Sequence, residues 1–115
     1  MPFAEVSFSA DLEAEQEWKM RRKVSKIISE ATGKAEDYIM VVSSPKDFLM
    51  GGKDDPAAFV DIRSIGGLTA TVCRVLSEKI CEYLDSELDI PSERVYLTME
   101  EIPANRWGWN SRTFG

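Results

Sequence analysis

The chain has 115 residues, 43% of them apolar and 30% charged, with a net charge of −6. That length fits one domain over residues 1–115 with a real core. Its negative field argues against a general nucleic-acid binder or an anionic-membrane binder. With no histidine, Ser-His-Asp and Cys-His catalysis and every His-ligated metal site are excluded.

Taken in order, Phe3 to Phe8 alternate between two faces and predict a strand. Ser9 or Asp11 is a candidate cap for the helix that follows. Ala14, Trp18, Val24, Ile27, Ile28 and Ala31 recur at helical spacing from Leu12 to Ala31, and Gly33 ends that helix. Tyr38 to Val42 reads as a buried strand. Residues 43–56 are turn-rich, with a short strand expected around Phe48 to Met50. The pattern then repeats. Ala57 to Arg63 is a strand, and Ser64, Gly66 and Gly67 make a bend. Leu68, Val72, Val75, Leu76, Ile80, Tyr83, Leu84 and Leu88 form the stripe of a second helix, closed by Pro91, and Val95 to Met99 is the last strand.

Tandem β-α-β units of this kind predict an α+β, two-layer fold: a four-stranded sheet with both helices on one face. The strands read as apolar on both sides, for Ile39 to Val42 are consecutive apolar residues. A second copy of the chain is the economical cover for the other face, so an obligate oligomer is expected. Cys73 and Cys81 lie eight apart on one helix, about 12 Å, too far for a disulfide. They read as buried thiols of a reducing compartment. No transmembrane run is present, and residues 1–15 lack a signal peptide's basic and apolar regions. The cationic residues Lys19, Arg21, Arg22, Lys23 and Lys26 read as a solvated helix face, with Glu15–Lys19 and Glu17–Arg21 as available pairs.

Particular residues then carry more than pattern. The chain opens Met1-Pro2-Phe3. It places Ala31-Thr32-Gly33-Lys34 before a tyrosine-led strand and Ser64-Ile65-Gly66-Gly67 after the third strand. Arg94-Val95-Tyr96 and Trp107-Gly108-Trp109-Asn110-Ser111-Arg112-Thr113-Phe114 follow. Over its whole length this resembles the macrophage migration inhibitory factor and D-dopachrome tautomerase family of the tautomerase superfamily. The resemblance implies a homotrimer with sites between subunits and no cofactor or metal. It also implies keto–enol tautomerisation of phenylpyruvate- or dopachrome-like substrates. The family's base falls on Pro2, freed by loss of Met1. Its carboxylate-binding lysine falls on Lys34, its substrate-holding backbone on Ile65, and the adjacent subunit's tyrosine on Tyr96. Aromatic and apolar walls fall on Phe3, Tyr38, Trp107, Trp109 and Phe114. Cytoplasmic residence, or secretion without a signal peptide toward a receptor, goes with the same family, as does a cytokine-like role with a vestigial pocket.

These residue types suit the chemistry. A terminal amine titrates near 8, and apolar burial or a neighbouring lysine lowers it further, so Pro2 could be a neutral base. Each residue alone has a plainer explanation: Pro2 as an ordinary second residue, Lys34 as a charge completing a helix dipole, Tyr96 as a strand residue. Only their joint occurrence favours the site. Three departures from the family stand out. Thr98 replaces a common asparagine, Trp107 replaces a smaller aliphatic residue, and Ala57 and Val60 occupy the positions of a Cys-x-x-Cys found in some animal members.

Overall fold

A computed structural model describes residues 1–115. Its elements are β1 (Phe3–Phe8), α1 (Ala14–Thr32), β2 (Met40–Pro45), β3 (Ala58–Ser64), α2 (Ala70–Leu88), β4 (Val95–Glu101), β5 (Gly108–Trp109) and β6 (Arg112–Thr113). The four long strands form one mixed sheet in the order β2-β1-β3-β4. β1 pairs parallel to β2 and β3 parallel to β4, while β1 and β3 run antiparallel at the centre. The two β-α-β units are thus joined back to back, as the repeat predicts.

The core lies between the sheet and the helices. Ala4, Val6 and Phe8 of β1 and Ala58, Val60 and Ile62 of β3 are buried against Met20, Val24, Ile27 and Ile28 of α1 and Leu76, Ile80, Leu84 and Leu88 of α2. Each strand contributes alternate residues, which is why one face of β1 and β3 is buried throughout. Truncating any of these large side chains to alanine should cost about 2–5 kcal/mol. The α1 stripe corrects the expectation in one place. Met20, not Trp18, starts the buried row; Trp18 is 50% exposed and carries the Arg22 guanidinium 4.9 Å above its ring.

Helix ends differ from expectation in detail. Neither Ser9 nor Asp11 caps α1. Glu13 does, its backbone N–H donating to the Gln16 side chain at 2.8 Å. The Ser9 hydroxyl instead accepts the Ala57 N–H and ties β1 to the approach to β3. α2 stops at Leu88 with Asp89 left-handed, so Pro91 lies beyond its end. Of the two expected pairs on α1, Glu15–Lys19 forms at 3.4 Å. Arg21 donates to the Ser43 hydroxyl, which donates to Glu17, so that contact runs through β2. Tyr38 sits in a 3-10 turn before β2, and the expected strand near Phe48 is replaced by a bridge between Met50 and Lys53.

The sheet face away from the helices is uncovered in the chain. Met40, Val42, Phe59 and Tyr96 are exposed there. Its middle is polar rather than apolar: the register sets Glu5 beside Asp61 and Asp61 beside Thr98. Thr98 donates to Asp61 at 3.3 Å, and Arg63 pairs with the same carboxylate at 3.2 Å. Any copy covering this face would meet apolar edges around a charged centre.

Candidate functional site

The site forms where β1 begins and β3 ends, because antiparallel pairing sets Phe3 opposite Arg63. A cavity of about 670 Å³ opens there, within the range of small-molecule sites. Pro2, Phe3, Tyr38, Trp107, Trp109 and Phe114 all line it, so six of the residues singled out in the sequence converge. Pro2 is fully buried. Met1 precedes it in this chain and lies at the cavity wall.

The aromatic wall is built by a hairpin. Asn110 and Ser111 both take positive φ, 51° and 65°, which closes β5 onto β6 as a two-residue turn. That turn brings Phe114 onto Trp109 in a stack with centroids 5.6 Å apart, and Trp109 meets Tyr38 edge-on at 6.2 Å. The Phe114 N–H donates to the Trp107 carbonyl and fixes the return of the chain.

Lys34 approaches from the end of α1. Gly33 adopts φ 74°, which stops the helix and turns the next residue back toward the sheet. The Lys34 ammonium donates to the Ile65 carbonyl at 2.8 Å. Gly67 makes room for it: at φ 80° a Cβ there would stand 3.1 Å from Lys34 Cε. Neither Lys34 nor Ile65 lines the cavity, but Lys34 lies within reach of the Met1 amine. The pKa of the Met1 amine is lowered from its ordinary 8.0, first by burial and then by the positive charge of Lys34 and its hydrogen bond.

Tyr96 and Thr98 are elsewhere. Both lie on β4, on the uncovered sheet face, with Tyr96 62% exposed and remote from its own chain's cavity. The sequence reading missed Arg63, Arg106, Asp37, Ile39 and Ile102, which also line the cavity. Two of these carried a signal: Arg63 directly precedes Ser64-Ile65, and Arg106 directly precedes the Trp107 motif. A second depression of about 400 Å³ between α1 and α2 holds none of the site residues that the family resemblance implies. No three Cys, Asp or Glu side chains converge as a metal cradle requires.

The family model for macrophage migration inhibitory factor (MIF) matches residues 1–115. The chain belongs to the MIF family. It is 34% identical over 95 residues to a MIF homolog of Brugia malayi, covering 82% of this chain and 83% of that one. It is 32% identical over 92 residues to the MIF of Xenopus tropicalis, covering 79% and 80%. Among solved structures, a MIF-like protein of Entamoeba histolytica superposes with a TM-score of 0.95 at 33% identity over 98% of both chains. The two helices and four-stranded mixed sheet are therefore a MIF fold. No helix of this MIF-family chain is long and apolar enough to cross a membrane.

Proposed function

We propose that the chain is a keto–enol tautomerase of small aromatic 2-oxo acids, working as a homotrimer of one-domain subunits (residues 1–115), with the Pro2 amine as base. The observation that carries this reading is the setting of the amino terminus. An amine whose pKa is lowered by burial and by Lys34 lies against a cavity walled by aromatic rings. In this chain that amine belongs to Met1; loss of Met1 moves it to Pro2, deeper in the wall. Membership of the MIF family supports an isomerase-type activity.

In this mechanism loss of Met1 opens the cavity to Lys34, which pairs with the carboxylate of a phenylpyruvate-like substrate, and the substrate's ring lies on Trp109 and Phe114. The neutral Pro2 nitrogen takes a proton from the carbon next to the keto group. The electron pair of that C–H bond forms the C=C bond as the carbonyl becomes an enolate. Protonation of the enolate oxygen completes the enol, with no redox change and no cofactor. Proline's stiff ring aims the lone pair at little entropic cost. Tyr96 and Thr98 reach a site only if a neighbouring subunit presents them, which ties activity to the trimer. The cytoplasm, or export without a signal peptide, is the compartment proposed.

Intact mass and a pH profile test this together. The protein should lack Met1 and sediment as a trimer at micromolar concentration. Turnover of phenylpyruvate should be low while the amine is protonated. It should then rise with pH through a pKa below the usual 8 of a terminal amine. Inserting alanine between Met1 and Pro2 moves the amine and should remove about a hundredfold or more of kcat. Unchanged turnover in that variant would refute Pro2 as base. A trimer with no turnover at any pH would favour the family's signalling role with a vestigial pocket.

A further inference from the structure

The cavity is richer in positive charge than one carboxylate needs. The whole chain carries −6, yet Arg63 and Arg106 both line this cavity, Lys34 lies within reach of the Met1 amine, and Asp37 is the one acid in the wall. The two guanidinium groups are not equivalent. Arg63 already pairs with Asp61. Arg106 has no carboxylate within its own chain, where the ion pairs are Lys19–Glu15 and Arg63–Asp61, and its side chain makes no intramolecular hydrogen bond. Its backbone is nevertheless fixed. It ends a 3-10 turn whose Arg106 N–H donates to the Pro103 carbonyl at 2.9 Å, immediately before the Trp107–Trp109 wall. A guanidinium left unpaired beside aromatic rings is a fork-shaped receptor for a carboxylate.

We propose that the natural substrate is dianionic: a 2-oxo acid with a second carboxylate at its far end, which Arg106 binds while Lys34 holds the first. The proposal rests on the tautomerase reading and adds its substrate class. Arg106 contributes two parallel N–H donors to the distal carboxylate. Arg63 adds positive potential from the rim, with its remaining donors free of Asp61. The cavity's size accommodates a ring plus a substituent, and aromatic stacking on Trp109 and Phe114 sets the ring between the two cationic ends.

The test compares phenylpyruvate with 4-carboxyphenylpyruvate and its monoanionic amide 4-carbamoylphenylpyruvate, on the trimeric protein. The dianion should exceed both others in kcat/KM by about ten- to a hundredfold, the worth of a charge-assisted hydrogen bond pair. In Arg106→Gln that preference should shrink by at least tenfold, mostly through KM, and Arg106→Lys should restore part of it. Raising the salt concentration should reduce the wild-type preference. Equal kcat/KM for the three acids in the wild type would overturn the proposal. So would an Arg106→Gln loss that is the same for all three. A change of sedimentation in Arg106→Gln, with selectivity intact, would instead assign this side chain to a subunit contact and overturn it too. Binding separates this result from failure of the tautomerase reading. Trp107 and Trp109 line the cavity, so quenching of tryptophan emission reports occupancy without turnover. Tighter binding of the dianion in a protein that turns over none of the acids would sink the catalytic reading while sustaining Arg106 as the subsite for a second carboxylate.

Discussion

The two β-α-β units are built alike, yet one ends in a cavity and the other in a plug. Both helices have 19 residues and stop at a left-handed residue, Gly33 or Asp89. Three residues later each chain enters a 3-10 turn, Glu36–Tyr38 or Ser92–Arg94, and then the parallel strand. The turns differ in what closes them. Tyr38 offers an aromatic wall to the cavity at the start of β1. Arg94, its counterpart, turns its donors to the loop before β3, bonding the carbonyls of Pro56, Met50, Lys53 and Asp55 at 3.0–3.1 Å. The strand partners explain the difference. Before β3, residues 46–57 supply the carbonyls that Arg94 binds, whereas at the start of β1 Met1 and Pro2 line an open cavity. Where a loop can fill the junction, backbone carbonyls satisfy a guanidinium and the space closes. At the β1 end the cavity stays open, with an amine and the Arg106 guanidinium facing it, and chemistry has room.

The largest effect that would test this contrast is Arg94→Ala. Four carbonyls lose a common cationic donor, and the segment 46–57 loses its main tie to β4. At this part-exposed position each bond is worth less than a buried one, so the sum should be about 2–3 kcal/mol of stability. Denaturant unfolding should show that loss, with kcat/KM on phenylpyruvate held within about twofold because the cavity is at the other end. A fall in activity at unchanged stability would mean that the two ends are coupled and that the plug is part of the site.

Lys34→Ala probes the open end and should be the next largest. If the ammonium mainly receives a substrate carboxylate, kcat/KM should fall about ten- to a hundredfold, through KM more than kcat. A phenylpyruvate ester should show almost no difference between wild type and variant. Lys34 also holds the Ile65 carbonyl, so equal losses on acid and ester would make it a brace like Arg94. The two ends of the molecule would then differ in shape only.

Much of this architecture is legible in the sequence. The stripe Leu76, Ile80, Leu84 and Leu88 repeats every four residues, and a helix buries such a row whatever its neighbours. Gly33 announced both the helix end and the turn that delivers Lys34. Trp18 misled because its apolar ring matched the period loosely; the true row runs through Met20, four before Val24, and leaves Trp18 to Arg22. The expected strand near Phe48 failed for a local reason. Gly51 and Gly52 both take positive φ, 62° and 73°, which turns the chain back after Met50. Lys34, Ile65 and Pro2 could be singled out only through resemblance to a family, since a lysine, a carbonyl and a proline carry no pattern of their own. The plug formed by Arg94 had no sequence signal, because its four acceptors are backbone atoms that only the tertiary fold assembles.

Ser64 supplies the smallest and sharpest check on the open end. It is the last residue of β3, fully buried, and its hydroxyl is without a hydrogen-bond partner. Its own carbonyl accepts the Ile102 N–H at 2.8 Å, so the backbone around it is satisfied. A buried hydroxyl left unpaired costs on the order of 1–3 kcal/mol, offset in part by the packing of the oxygen itself. Ser64→Ala removes the polar atom and leaves the backbone bond intact. It should therefore be neutral or stabilising by up to about 1 kcal/mol, read as an unchanged or slightly raised Tm. Activity should stay close to wild type, because the Ile65 carbonyl that holds Lys34 belongs to the next residue and needs no side chain from Ser64. A loss of stability greater than about 1 kcal/mol would mean that the hydroxyl is paired in the assembled protein. The open end would then be braced by polar contacts as the Arg94 end is, and the contrast between cavity and plug would have to be drawn from the aromatic wall alone.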